Sequence, residues 1–283
     1  MSKIALMCDS SADITEQEAK ELDIHVLRMP IVIKDKEYIE GVNIDDSMII
    51  EALNNNESVK TSQPLLGDMV KMWHDLLETY DEVFYLPLTY ALSGTCNIAL
   101  QAAKNFDGKV TVVNSEFVCY PVIKMLLTAR EMFKKGYTTA QVKEKIETEG
   151  NMLAALIPEN LTTLKNGGRI SPAAASLAGL LKIQPILCVN HGAIDVVAKV
   201  RTLKKAYIQG IEYVTKGVNP ADYDWMIIDA DNRKMSDELK VMLEEAVHQP
   251  VEQHEFKAII MSHTGQGTVG FGRIKKIRSF KNG

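Results

Sequence analysis

The chain has 283 residues, enough for one large domain or two ordinary ones, and its 46% hydrophobic and 24% charged residues are typical of a globular protein. A net charge of −5 argues against the broadly basic surface that nucleic-acid binding needs, so we expect no nucleic-acid partner. No apolar run reaches the roughly 18 residues of an integral membrane segment, and four scattered cysteines without a C-x-x-C pair favour a reduced, cytoplasmic compartment.

The first 150 residues alternate strand-length apolar runs with helical patterns, which is typical of a layered α/β domain with a mostly parallel sheet. The predicted strands cover residues 4–8, 25–33, 83–88 and 110–113, with a hairpin partner or edge strand at 38–44. The predicted helices are a short one after Thr15 and longer ones at residues 45–53, 66–77, 94–106, 122–134 and 139–148.

The second half predicts an α+β domain with a mixed or antiparallel sheet. We place the boundary at Gly150-Asn151, which gives domains 1–150 and 151–283. Strands are predicted at residues 153–157, 183–189, 193–200, 225–229 and 257–262, with a hairpin turn at 190–192. Residues 164–172 are predicted as a loop that carries Arg169, one helix begins at Arg201, and another covers 236–247.

Ser93 follows one predicted strand and precedes a helical pattern. Serine is favoured at a helix N-cap, and the free N–H groups at the start of that helix point toward an anion. Gly94 has no side chain, so its backbone leaves room for a ligand. Residues 9–13 follow the first strand, at the sheet edge where α/β folds bind ligands. A plain helix cap that binds nothing also explains Ser93.

A second pair of hydroxyls, Thr61-Ser62, stands just before Gln63-Pro64. Proline favours an extended residue before it and suits the first turn of a helix. The two hydroxyls are therefore predicted to project from a loop beside a helix start. Ordinary capping hydroxyls are the alternative interpretation.

Residues 265–270 spell G-x-G-x-x-G after a predicted strand, as in a dinucleotide-binding turn. That unit needs a helix, a second strand and an acidic residue about 20 positions further on. Only 13 residues follow Gly270, so we reject this interpretation. Two interpretations stay open: a glycine-rich loop that places His263 near a ligand, and a plain turn.

Ser93, His263 and Asp9 have the residue types of a hydrolase triad, with Ser93 on a turn that resembles a nucleophile elbow. The G-x-S-x-G signature is absent, because Ala91 and Thr95 occupy its glycine positions. A serine-dependent acyl hydrolase using Ser93 is therefore only the alternative hypothesis. The chain also lacks H-E-x-x-H, P-loop and EF-hand motifs, so the sequence supports neither a metal nor a nucleotide cofactor.

Five segments along the whole chain together resemble the DegV family in order and spacing. They are Asp9-Ser10-Ser11-Ala12-Asp13-Ile14, Thr61-Ser62-Gln63-Pro64, Leu92-Ser93-Gly94-Thr95, Asn166-Gly167-Gly168-Arg169-Ile170-Ser171 and His263-Thr264-Gly265. The resemblance implies a two-domain fold, with a three-layer α/β/α first domain and a long-chain fatty acid such as palmitate or oleate in a tunnel between the domains. It also implies a non-catalytic lipid-binding protein without a cofactor, which presents the carboxylate to the separate ATP-binding subunit of a fatty acid kinase for acyl phosphate formation.

Carried over position by position, the resemblance assigns Thr61 and Ser93 to the fatty-acid carboxylate. Near the head group it implies Ser62, Gly94, Thr95 and His263. On the kinase-facing surface it implies Arg169 and Arg201. The sequence departs from the family pattern beside the head-group region, at Leu65, Thr89-Tyr90 and Gln266, which bears on ligand identity. The preferred acyl chain depends on the shape of the tunnel, which the sequence does not define.

Overall fold

The computed structural model describes residues 2–180 and 183–277. Its strands are β1 (Ile4–Asp9), β2 (His25–Leu27), β3 (Pro30–Ile33), β4 (Lys36–Ile39), β5 (Val59–Thr61), β6 (Glu82–Leu86), β7 (Val110–Val112), β8 (Met152–Ile157), β9 (Gln184–Asn190), β10 (Ala193–Val200), β11 (Tyr223–Asp229), β12 (Val251–Glu255) and β13 (Val269–Lys275). Its helices are α1 (Glu16–Glu21), α2 (Asp46–Asn54), α3 (Leu66–Leu77), α4 (Thr95–Ala103), α5 (Pro121–Lys134), α6 (Thr139–Glu149), α7 (Leu161–Gly167), α8 (Pro172–Ala175), α9 (Leu203–Thr215), α10 (Arg233–Val247) and α11 (Ala258–Thr264).

The first half is built on a four-stranded sheet in the order β2-β1-β6-β7, with every described strand pair parallel. In β1, Ala5 and Met7 pack with residues of α3 and α4, whereas Leu6 and Cys8 pack with residues of α5 and α6. Helices therefore cover both faces of the sheet, which explains why most residues of its strands are apolar. The predicted three-layer α/β/α architecture with a mostly parallel sheet is confirmed.

A six-stranded sheet forms the second half, in the order β10-β9-β8-β13-β11-β12. Of its described strand pairs only β11 and β12 are parallel. One face packs against α9 and α10, and the other packs toward the first half of the chain. The β9–β10 hairpin turns at His191-Gly192, where φ is 48° and 71°, as a two-residue turn requires. The predicted mixed sheet and its hairpin are confirmed.

The single strand predicted at residues 25–33 is wrong, because two strands in different sheets occupy this range. β2 ends at Leu27, and β3 begins at Pro30 and pairs with β4 and β5 in a small antiparallel sheet. Pro30 has no N–H to donate to a strand ladder, which suits it to the first residue of β3. The Met29 N–H donates to Ser10 Oγ at 3.0 Å. Thr61, predicted in a loop, is the last residue of β5.

The strand predicted at residues 257–262 is also wrong, because this segment forms most of helix α11. All residues from Ala258 to Ser262 are buried, and a fully buried apolar run has no periodicity that separates helix from strand. Asp13 Oδ1 accepts the Lys257 N–H at 2.8 Å, which satisfies a donor at the helix start. The neighbouring strands β12 and β13 are not predicted by the sequence, and Gly270 of the glycine-rich segment lies in β13.

Helix α7 and helix α9 begin or end elsewhere than the sequence predicts. Residues 164–167, predicted as loop, end α7, and Gly168 terminates that helix with a φ of 68°. α3 has the predicted bounds, although Pro64 lies two residues before this helix and outside its first turn. α9 begins at Leu203 with Thr202 as its N-cap, so Arg201 precedes this helix and does not open it.

Candidate functional site

An apolar cavity is enclosed by residues of both halves of the chain. It contains about 750 Å³ of empty space, counting its open mouth. Its apolar wall includes Met29, Leu88, Leu92, Leu156, Val189 and Phe256. Its polar wall includes Thr61, Ser62, Gln63, Ser93, Arg169 and His263. A cavity of this kind, mostly apolar with a few polar groups, is typical of a small-molecule site whose ligand has one polar end.

Thr61 and His263 meet in the wall of this cavity, although 202 positions separate them in the chain. Thr61 ends β5, His263 lies in the last turn of α11, and Thr61 Oγ1 is 2.7 Å from His263 Nε2. Burial of the imidazole, helped by the positive charge of Arg169, lowers the pKa of His263 to about 4, so the ring is neutral at pH 7. His263 Nδ1 is buried without a hydrogen-bond partner among the described residues. A Cβ at Gly167 would lie 2.7 Å from this nitrogen, so the glycine makes room for the ring.

Ser93 reaches the same cavity from the turn between β6 and α4. Its predicted position as N-cap is wrong by one residue, because Gly94 is the N-cap and α4 begins at Thr95. Ser93 Oγ nevertheless accepts the Thr95 N–H at 3.2 Å, and it lies 2.8 Å from Thr95 Oγ1. The hydroxyl therefore stands at the N-terminus of a nine-residue helix, where the helix dipole favours an anion.

Gly94 and Gln63 bring the Ser93 and Thr61 segments together. A Cβ on Gly94 would lie 2.6 Å from Gln63 Oε1, so a larger residue would displace this side chain. The sequence indicated room for a ligand beside Gly94, but the close neighbour there is a glutamine of the protein itself. The Gln63 side chain thus packs closely against the backbone of Gly94, next to the segments that carry Thr61 and Ser93.

The other predicted site residues fall into two groups. Ser62 and Arg169 line the cavity and are exposed, and Arg169 Nη1 donates to a backbone carbonyl at 2.5 Å. Within the described ranges, the wall includes neither Thr95, which is buried, nor Arg201. Arg201 is exposed and directly follows the last residue of β10. The wall residue Ile194 lies near the other end of this strand, seven residues earlier, which corresponds to about 20 Å of extended chain.

The residues of the alternative hydrolase triad are bonded to other partners. Asp9 is buried, and its carboxylate accepts hydrogen bonds from Ser11 Oγ at 2.5 Å and from the Leu88 N–H at 2.9 Å. His263 bonds to Thr61, and in the described part of the chain its other ring nitrogen has no carboxylate partner. A nucleophilic serine needs a base that such a partner orients. The geometry therefore does not support the hydrolase.

Several wall residues were not singled out by the sequence, among them Cys119, Phe256 and Ile259. Cys119 is buried with a φ of 62°, and burial, together with the nearby charge of Asp13, raises the pKa of its thiol. The apolar run that contains Ile259 is visible in the sequence. An apolar residue of a cavity wall nevertheless has the same sequence pattern as one of the core, so no signal distinguishes the two.

Neither a metal-ligand cluster nor a membrane-crossing helix occurs among the described residues. No three or more of their His, Cys, Asp and Glu side chains are placed together so as to hold a metal ion. None of the described helices combines the length and the apolar character that crossing a bilayer requires. All four cysteines are buried and free.

Comparison with known proteins assigns the chain to a family. A model of the DegV family, which is described as a family of uncharacterised proteins, matches residues 3–276. The chain belongs to the DegV family. Protein DegV of Bacillus subtilis is 30% identical over 275 residues, which cover 94% of this chain and 97% of that protein. A DegV domain-containing protein of Staphylococcus aureus (strain MRSA252) is 29% identical over 285 residues, which cover 98% of this chain and all of that protein.

Solved structures of DegV proteins share this fold. A fatty acid binding DegV family protein from Streptococcus agalactiae has a TM-score of 0.86 at 28% identity, covering 98% of this chain and 100% of that one. A DegV family protein from Thermus thermophilus, whose structure is described as one of fatty acid binding, has a TM-score of 0.85 at 26% identity, covering 97% and 99%. The resemblance to the DegV family and the two-domain α/β fold that it implies are confirmed.

Proposed function

We propose that this DegV-family protein binds a long-chain fatty acid, such as palmitate or oleate, in the cavity, with the carboxylate at Thr61 and Ser93. The observation that carries the proposal is an apolar cavity whose wall contains these two hydroxyls and a neutral imidazole. The solved relatives from Thermus thermophilus and Streptococcus agalactiae are described as binding fatty acids, which supports the proposal.

The acyl chain supplies most of the binding free energy in this proposal. Burying one methylene contributes about 0.8 kcal/mol, so about fourteen of them give a gross term on the order of 11 kcal/mol. An anion at the N-terminus of a helix adds only about 0.3–2 kcal/mol. The polar wall therefore orients the ligand and rejects other head groups, whereas the apolar wall provides the affinity.

Protonation of His263 at Nε2 would leave Thr61 free to donate to a carboxylate. When the imidazole proton is on Nε2, His263 donates to Thr61 Oγ1, and the threonine proton is free for the ligand. Ser93 Oγ supplies a further donor, and the dipole of α4 favours an anion beside it. Hydrogen bonds to an ionised group are stronger than those to a neutral one, so these donors favour an acid over an alcohol.

We propose further that the protein is a carrier and not an enzyme. It presents the bound carboxylate to a separate ATP-binding kinase subunit, which forms the acyl phosphate. Arg169 supports this role because it is exposed and also lies in the cavity wall, and Arg201 is a second exposed arginine that we propose faces the partner. A guanidinium stays charged and can pair with a carboxylate or a phosphate through two hydrogen bonds.

The same proposal includes a compartment and a domain boundary. Four buried free cysteines are compatible with the reducing cytoplasm. The proposed boundary at Gly150-Asn151 lies between α6 and β8, so the parallel sheet falls in domain 1–150 and the six-stranded sheet in domain 151–283. The fatty acid would then lie between the two domains, because residues of both line the cavity.

Denaturing mass spectrometry of solvent extracts from the purified recombinant protein tests the function. We expect a near-stoichiometric long-chain fatty acid from the host, because filling an apolar cavity with hydrocarbon is favourable and cells are rich in lipid. After delipidation, the protein should take up added palmitate or oleate. Extracts without fatty acid, together with no uptake of either acid, would contradict the proposal.

A further inference from the structure

A second apolar cavity adjoins the first. It contains about 420 Å³ of empty space, counting its opening. Five residues lie in the walls of both cavities, namely Val118, Cys119, Leu156, Val189 and Phe256. The two cavities are therefore neighbours across a common wall, to which both halves of the chain contribute.

The second cavity suits hydrocarbon and little else. Its wall includes Met152, Met226, Ile228 and Ile274. Among the described wall residues the only charged side chain is that of Arg273. Its guanidinium donates to the Val214 carbonyl and lies over the Tyr223 ring, 5.0 Å from the ring centre. The guanidinium is thus held by groups of the protein, although its Nε is buried without a hydrogen-bond partner among the described residues, and the rest of the wall offers a ligand an apolar surface.

The backbone of β13 forms part of the wall of the second cavity. Gly270, Gly272 and Ile274 alternate with their neighbours and so share one face of this strand. A Cβ on Gly270 would lie 3.2 Å from Leu156 Cδ1 and 3.3 Å from Phe256 Cζ. Leu156 and Phe256 belong to the wall that the two cavities share. A side chain at position 270 would therefore stand between the cavities.

Gly272 has a different constraint. A Cβ there would lie 2.1 Å from the Leu153 carbonyl oxygen and 2.6 Å from Ala154 Cα, so a side chain would disrupt the pairing of β13 with β8. The contacts within 3.4 Å of a Cβ on Gly270 are to side chains only, which can move by a few tenths of an ångström. Position 270 therefore tolerates substitution better than position 272 does.

We propose that the two cavities are one acyl tunnel and that Gly270 is the residue that lets the chain pass from the first into the second. This inference rests on the proposed function. The first cavity holds the carboxylate and the adjoining methylenes, and the second holds the far end of the chain. In this proposal the far end of a long chain reaches the second cavity and that of a medium chain does not, so Gly270 determines the chain length that binds.

Gly270→Val tests the passage, with the Kd values of palmitate and decanoate measured by calorimetry on delipidated protein. If about four methylenes at about 0.8 kcal/mol each lose their burial, palmitate affinity falls about 200-fold, whereas decanoate affinity changes by less than about threefold. Retained decanoate binding would show that the fold and the polar wall are intact in the variant.

A second variant blocks the same space from the neighbouring strand. Ala154 lies in the wall of the second cavity and not in the described wall of the first, so Ala154→Leu should reproduce the selective loss of palmitate. Gly67→Val is the matched control, because a Cβ on Gly67 would meet nothing within 4 Å. It should leave both Kd values unchanged.

The outcomes separate this inference from the proposed function. Wild-type palmitate affinity in both Gly270→Val and Ala154→Leu would overturn the tunnel and leave fatty-acid binding standing. Wild-type protein that binds neither acid would overturn the proposed function itself. If Gly270→Val does not fold, the result for Ala154→Leu decides.

Discussion

The polar wall and the apolar wall of the cavity differ in how the chain builds them. The polar wall brings together Thr61 at a strand end, Ser93 at a turn and His263 in the last turn of a helix. The apolar wall combines residues of strands, of helices and of the segments between them, such as Leu156 of β8, Ile259 of α11 and Leu88 after β6. The comparison teaches that the orientation of a bound fatty acid depends on a few individual polar side chains. The affinity for the acid depends instead on an apolar surface to which many residues contribute. Single substitutions should therefore change the two properties independently.

Loss of acyl phosphate formation in Arg201→Ala is the largest effect that we expect. With a cognate kinase subunit and ATP, this variant should form little acyl phosphate, because it lacks the guanidinium proposed to pair with the partner. It should keep its bound fatty acid and its melting temperature, since Arg201 is exposed and outside the described cavity wall. His263→Ala should impair the same step, with some loss of binding.

Lys204→Ala is the control for this experiment, because Lys204 is also an exposed cation near the start of α9. It should support the wild-type rate. If Arg201→Ala is phosphorylated at that rate too, the arginine is an ordinary surface charge, and the partner contacts the polar end of the cavity without it.

Ser93→Ala and Thr61→Ala should have the next largest effect. Each removes a hydroxyl that hydrogen-bonds a charged group, which costs roughly 1.5–3 kcal/mol, or about 10- to 150-fold in the Kd of palmitate. Hexadecanol carries no charge, so its Kd should change less. Thr148→Ala is a suitable control, because its hydroxyl bonds to a carbonyl of its own helix. Equal losses for the acid and the alcohol would mean that these hydroxyls do not face the head group.

The pH dependence of stability should show the burial of His263. Its pKa is about 4 in the folded protein, against 6.5 for an ordinary histidine. As pH falls from 7 to 5 the unfolded chain therefore takes up the proton first, and the folded state loses about 2 kcal/mol relative to His263→Gln. Chemical denaturation of both proteins at the two pH values measures this difference. The buried carboxyls Asp9 and Asp13 are present in both proteins, so their contributions cancel in the difference between the two. An identical pH dependence of stability in both proteins would show that the His263 ring is solvated.

The parts of the molecule that the sequence predicted are those with a local pattern. The strands around Ser93 are buried on both faces and read as continuous apolar runs, and His191-Gly192 has the residue types of a tight turn. Thr61, Ser93 and His263 belong to short motifs that resemble one family. Of these, the structure brings Thr61 and His263 into contact and places Ser93 in the same cavity wall.

The parts that the sequence did not predict depend on contacts distant in the chain. The sequence predicts a strand at α11 because each of its early residues is buried. The backbone N–H of Lys257, just before this helix, donates to the carboxylate of Asp13, 244 positions away in the chain. The chain leaves the first sheet after β2, and the Met29 N–H then donates to Ser10 Oγ. Gly270 matched a dinucleotide motif, and only its neighbours Leu156 and Phe256 place it beside the cavities. Local periodicity contains none of this information.

A crystal structure of the delipidated protein soaked or co-crystallised with palmitate tests the central claim most directly. The account predicts carboxylate oxygens within hydrogen-bonding distance of Ser93 Oγ and Thr61 Oγ1, with the acyl chain running along the apolar wall past Phe256. A cavity without ligand at saturating palmitate, or a carboxylate that lies away from both hydroxyls, would contradict it.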